Sequence, residues 1–397
     1  MKKKLALLLT VIMIVSIAFT GCGGDSGGEA EGDTIKVGWI GALTGDMAPW
    51  GKCESQALQM YIDQQNEKGG VLGKKIELVT YDTKGDNNEA VNAVKRLIAQ
   101  DKVCAVLGPN ASAAAIAIKG ALNQGKVPDI ATVATNPEIT VNKDGSLNPY
   151  NFRVCFTDPY QGAVAAGYAI DELDAKTAAV LYDVSSDYSQ GFTQFFIETF
   201  EEKGGKIVAQ EGCKTGDTDF RPQLTKIKKA NPDVILLPLG SYKEVALSAN
   251  QARELGIDAT LFGGDTWPSE TLFEMAGPAL EGSYVVNHFD YNDPAAAEIT
   301  KMYKDKFDTN PEINAYMVHD AFQLLIAAIE KAESADSEAI TKALTEVEID
   351  GVTGHISLSP DDHNPVGKEA SMQQIVKSDT AKDGYEYKFI MKYSPAK

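Results

Sequence analysis

The chain is poor in the residues that most catalysis and metal binding depend on. Its 397 residues include only four histidines. These are His288, His319, His355 and His363, which stand without the spacing of a metal site. Five cysteines are present, none in a CxxC pair. No P-loop, GxSxG elbow, HExxH helix or GxGxxG turn occurs. Gly38-x-x-Gly41-x-x-x-Gly45 follows an apolar run, but its spacing does not suit a dinucleotide. Asp82 and Asp86 lack the other ligands of a calcium loop and read as an acidic turn before a helix. A non-enzymatic protein without cofactor or metal is therefore expected. Positive charge is also scarce: 37 Lys and Arg stand against 56 Asp and Glu, for a net charge of −19. So acidic a surface repels nucleic acid and anionic lipid alike, and excludes both as partners.

What is present begins with a segment outside the fold. Met1-Lys2-Lys3-Lys4 precedes an uncharged apolar run to Thr20, which is the layout of a secretory signal and rather short for a spanning helix. The run ends in Gly21-Cys22, and this junction resembles a bacterial lipoprotein signal. That resemblance implies removal of residues 1–21, lipidation of Cys22 and a net charge of −22 on the mature chain. Residues 22–33, rich in Gly, Glu and Asp, read as a flexible tether. The protein is thus expected outside the cytoplasm, anchored by lipid to a bacterial cell membrane. Cys53, Cys104, Cys155 and Cys213 are far apart; Cys104 falls in an apolar run and reads as a buried thiol. Disulfides are permitted in such a compartment, but the sequence picks no pairing.

From Thr34 onward short apolar runs alternate with helical patterns. Ile35–Gly41, Ile76–Tyr81, Val103–Leu107 and Ile130–Val133 read as strands. Cys53–Asn66, Glu89–Gln100 and Ser112–Gln124 read as helices between them. A second series runs from Gln161, with strands at Ala178–Tyr182, Ile207–Gln210, Val234–Pro238 and Leu261–Gly263. Asn314–Ser334 carries an apolar stripe at helical spacing, and Glu386–Tyr393 reads as a last strand. Alternation of this kind predicts βαβ units and parallel sheets covered on both faces. The expected fold class is α/β with two doubly wound parallel-sheet lobes.

In such sheets ligands bind beyond the carboxyl ends of the strands, where loops enter helices. The loops at Leu43–Gly51, Gly108–Ser112 and Thr132–Pro137 are therefore the first candidates. Two of them carry hydroxyls at helix starts, which suits an anion such as a carboxylate.

Gly41-Ala42-Leu43-Thr44-Gly45, Ala134-Thr135-Asn136-Pro137-Glu138, Asp158-Pro159-Tyr160-Gln161-Gly162 and Asp187-Tyr188-Ser189-Gln190-Gly191 carry a closer likeness. Through them the chain resembles the branched-chain amino acid (leucine/isoleucine/valine) binding proteins of ABC importers, of the type I periplasmic-binding-protein fold, over Ile35–Ile390. The resemblance implies lobes of residues 34–155 plus 287–362 and of residues 156–286 plus 363–397. Three crossover strands would join them, and they would close on an amino acid. It further implies that Ser112 and Thr135 hold the ligand carboxylate. The backbone of Val133, with Ala134 beside it, would meet the ammonium group. Asp265 would pair with that ammonium, where Glu is common in the family. Trp50 would supply an aromatic wall, and Tyr188 would close over the backbone of the ligand, with Ser241 and Tyr242 on the second-lobe side. Partners would be ABC permease and ATPase subunits, with the chain itself a monomer. The alternative is a sensor for amino acids or amides on the same fold.

Overall fold

The structure is a computed structural model that describes residues 34–394. Cys22 and the tether lie outside the described residues.

β1 (Thr34–Gly41) alternates its side chains between two apolar clusters, as an extended chain must. Ile35, Val37 and Trp39 face one cluster and Ile40 the other. The chain continues through α1 (Ala48–Glu67), β2 (Lys75–Asp82), α2 (Asn87–Arg96), β3 (Ala105–Leu107), α3 (Ser112–Gly125), β4 (Asp129–Ala131) and β5 (Asn151–Arg153). The first sheet has the order β2-β1-β3-β4-β5, with parallel pairing from β1 through β5. The acidic turn before α2 is a turn: Asp86 caps the helix, and Asp82 accepts from the Leu43 and Lys84 amides at 2.8 Å. Gly69 and Gly70, with φ of +107° and +77°, close the stretch after α1, where a left-handed backbone suits glycine.

The second series is α4 (Asp158–Asp171), β6 (Thr177–Asp183), α5 (Asp187–Glu202), β7 (Lys206–Cys213), α6 (Arg221–Ala230), β8 (Val234–Leu236), α7 (Tyr242–Glu254), β9 (Thr260–Gly263), α8 (Glu270–Leu280) and β10 (Tyr284–Asn287). Then come α9 (Pro294–Phe307), α10 (Ile313–Ala332), α11 (Ser337–Ala343), the hairpin β11 (Glu348–Gly351)–β12 (Gly354–Ser357), and β13 (Ala370–Lys377) with β14 (Tyr385–Tyr393). The second sheet has the order β14-β13-β10-β9-β8-β6-β7. Its strands too divide between clusters: Ile235, Leu261 and Val285 face one side, Leu236, Phe262 and Val286 the other. The chain passes between the sheets at residues 154–157, 288–293 and 358–369, so two α/β lobes are joined by three connections.

Two features differ from the sequence reading. The second sheet is mixed, because β13 and β14 add in antiparallel fashion to β10. The chain enters β13 from the other lobe and so runs against β10. Several elements also went unread, among them α8, whose periodicity is broken by Pro278 and a non-helical Ala276 (φ −152°). Cys53, Cys104, Cys155 and Cys213 are all buried and unpaired.

Candidate functional site

The carboxyl ends of β1, β3, β4, β6 and β8 converge on one cavity of about 270 Å³, into which the starts of α1, α3, α5 and α7 open. Trp50, Ser112, Val133, Tyr188 and Ser241 line it, with Asn110, Asp183, Glu244 and Thr266. A larger cavity of about 390 Å³, walled by Phe273, Tyr387 and Phe389, shares no residue with it and contains none of the candidate residues. The strand ends and helix starts make the smaller one the candidate site.

Trp50 stands in the first turn of α1 because Gly51 lets that turn lie against the end of β1. A Cβ on Gly51 would come within 2.0 Å of the Ala42 carbonyl oxygen. The Trp50 ring meets Tyr242 edge to face at 5.7 Å. Tyr242 itself turns away from the cavity and donates its hydroxyl to Glu312 Oε2 at 3.0 Å. Burial pushes the Glu312 carboxyl up to about 7.

Helix starts leave unpartnered N–H groups and a partial positive charge. At α5 and α7 the Ser186 and Ser241 hydroxyls cap these groups, accepting from the amides of Ser189 and Glu244. At α3 the N-cap is Ala111, which offers no side-chain cap. Ser112 is the first residue of that helix, and its hydroxyl accepts from the Asn136 amide at 3.3 Å. The start of α3 is thus open to an anion, with a hydroxyl beside it.

Ala134 and Thr135 lie just behind this wall and are fully buried. Arg153, also buried, holds their loop by donating to the carbonyls of Ala134 (3.0 Å) and Asn136 (2.7 Å). The Thr135 hydroxyl has no hydrogen-bond partner. Burial drives the neighbouring Asp158 carboxyl up to about 8.

Asp265 is 2% exposed and does not line the cavity, although its neighbour Thr266 does. Its Oδ2 lies 3.1 Å from His288 Nε2, while Oδ1 has no partner. Burial lowers the pKa of His288, against the opposing pull of Asp265. The structure therefore gathers five of the candidates at the cavity and sets Ala134, Thr135, Tyr242 and Asp265 around it.

Sequence reasoning missed Asp183 and Glu244 on the same wall. Asp183 accepts from Ser185 and from the Thr215 hydroxyl, and Glu244 Oε1 accepts from the Gly216 amide at 2.7 Å. Their positions, at the end of a strand and in the first turn of a helix, were legible signals.

The periplasmic binding protein model matches residues 34–381. The chain is 32% identical to the Leu/Ile/Val-binding protein BraC3 of Rhizobium johnstonii, over 85% of this chain and 88% of that one. It is 30% identical to a leucine-, isoleucine-, valine-, threonine- and alanine-binding protein of Pseudomonas aeruginosa, over 82% and 85%. Among solved structures, the leucine binding protein LivK of Thermotoga maritima superposes with a TM-score of 0.81 at 32% identity, covering 91% of this chain and 99% of that one. The substrate binding protein LivJ of Streptococcus pneumoniae, solved with isoleucine, gives 0.80 at 32% identity, covering 91% and 100%.

Proposed function

This chain belongs to the periplasmic binding protein family, and on that premise we propose that it captures an amino acid for an ABC importer. The family places it outside the cytoplasm, and no helix among the described residues is long and apolar enough to cross a membrane. We assign its attachment to an acylated Cys22; mass spectrometry of the native N-terminus tests this, and an unmodified mature end elsewhere refutes it. One acyl chain binds membranes only marginally, so a second is expected.

The observation that carries the ligand reading is the uncapped start of α3 beside the Ser112 hydroxyl. An α-carboxylate there would meet free N–H groups and a favourable dipole. Thr135, with its unpartnered hydroxyl, is assigned to the same anion. The ammonium group is assigned to the backbone of Val133 and to Asp265, whose Oδ1 is free of other bonds. Trp50 would flank an apolar side chain, in keeping with the leucine and isoleucine named for the relatives, and Tyr188 would close over the ligand backbone. The lobes, residues 34–155 plus 287–362 and residues 156–286 plus 363–397, would close on that ligand. Small-angle scattering with and without ligand tests the closure, and an unchanged radius at saturation counts against it.

A thermal-shift panel of amino acids on the soluble form lacking residues 1–22 tests the ligand class. At about 100 times its Kd a ligand stabilises by about 2.7 kcal/mol. No shift with any amino acid would refute the proposal.

A further inference from the structure

Glu54 is 0% exposed, one helical turn beyond Trp50 in α1, and no role in ligand contact falls to it. Its two carboxyl oxygens reach two different loops. Thr132 donates its hydroxyl to Oε1 at 2.6 Å, and Asn110 donates its side-chain amide to Oε2 at 2.7 Å. Asn314, on α10, approaches the same Oε2 at 3.4 Å. Thr132 opens the loop that carries Val133 and Thr135, and Asn110 lies two residues before Ser112. Neither loop is pinned there by regular structure, since β3 and β4 end at Leu107 and Ala131.

We propose that Glu54 is a positioning residue of the first lobe, alongside Arg153: one buried carboxyl clamps the loops 108–112 and 132–136 in register and couples both to the helix that carries Trp50. This rests on reading the cavity as an amino acid site. The geometry explains why a group so costly to bury is kept there: a carboxyl can accept from two loops at once, one through each oxygen, as no apolar side chain can. Groups that hold ligand-contacting residues from behind contribute to affinity without touching ligand.

Three variants and two readouts test the clamp. Glu54→Ala should weaken the amino acid that binds the parent by about 10- to 100-fold and raise amide hydrogen exchange in both loops together. Glu54→Gln can donate to the Thr132 hydroxyl and accept from Asn110, so it should restore exchange protection and hold affinity within about threefold of the parent. Thr132→Val, which keeps Glu54, should raise exchange in residues 132–136 and leave 108–112 unchanged, and it decides the matter should Glu54→Ala not fold. The proposal is overturned if exchange in the two loops does not change in the first and third variants, or if Glu54→Gln behaves like Glu54→Ala. Exchange needs no ligand: a parent that binds no amino acid refutes the ligand reading, while the loop protection still decides the role of Glu54.

Discussion

Trp50 and Tyr242 meet edge to face, ring centroids 5.7 Å apart and planes at 63°, one ring from each lobe. The Tyr242 hydroxyl continues to Glu312, which also accepts from Ser269 at 2.8 Å. An aromatic wall of the cavity is thus tied to a half-buried carboxyl at the start of α10. Trp50→Ala removes the wall and the aromatic pair, itself worth about 0.5–1.5 kcal/mol. Affinity should fall by about tenfold or more. Tyr242→Phe keeps the ring and loses one hydrogen bond, so it should cost about 1 kcal/mol of stability and leave affinity within about threefold. Calorimetry and denaturant unfolding of the two variants check the contrast.

Asp265 and Ser112 should differ in a definite order. In a closed cleft an unpaired ligand charge costs about 2–5 kcal/mol. Asp265→Ala is therefore expected to weaken binding from about 30-fold to several thousandfold. Ser112→Ala removes one hydroxyl while the N–H groups of α3 remain, and should cost about 1–2 kcal/mol. Titration calorimetry on both variants gives the ranking. Equal binding by Asp265→Ala and the parent would remove Asp265 from the ammonium site.

Stability should fall as pH rises from 6.5 to 8. Burial raises the carboxyls of Glu54 and Glu312 to about 7 and that of Asp158 to about 8. The unfolded chain has lost these protons by about pH 5, whereas the folded protein still holds part of them at pH 6.5. Their contribution is complete below the unfolded pKa and is lost as pH climbs through the folded one. Between pH 6.5 and 8 the three together remove about 3 kcal/mol. His288 and His363, whose pKa values burial lowers, and Lys368, lowered by burial to about 8, act in the opposite sense and offset part of this loss within the same window. Urea unfolding at the two pH values checks the sign. The pair of changes Glu54→Gln and Glu312→Gln should shrink the difference by about 1.5 kcal/mol.

The four thiols should be inert. Burial pushes Cys53, Cys104, Cys155 and Cys213 each up to about 12, so almost no thiolate exists at pH 8. A thiol reagent on the soluble form lacking residues 1–22 should label none while folded and all four once denatured. Reductant should leave its stability unchanged.

Much of the framework was legible because strands buried on both faces read as apolar runs, as Ile35–Ile40 and Val103–Leu107 do. The two-lobe α/β class followed from their alternation with helices. What stayed hidden had physical reasons. β13, read as Ala370–Lys377 in the structure, mixes Ser and Gln with its apolar residues, because Gln373 is buried to bond Asn287 and the Phe289 carbonyl. The candidate site was sought in loops at strand ends, and Trp50, Ser112, Val133, Tyr188 and Ser241 share one cavity there. Sequence could not reveal that Asp265 would lie against His288, 23 positions away, since that contact depends on the second passage between lobes. Nor could it separate Glu54, a buried clamp, from an ordinary acid on a helix surface.

The central claim, that the cavity holds a zwitterion by both its charges, is tested most directly by calorimetry with three forms of the amino acid that gives the largest thermal shift. These are the free amino acid, its methyl ester and its N-acetyl derivative. The account predicts that only the free form binds well, each masked charge costing about 2–5 kcal/mol, or about 30-fold and upward. If the N-acetyl derivative binds as tightly as the free amino acid, no ammonium site exists and the account is contradicted.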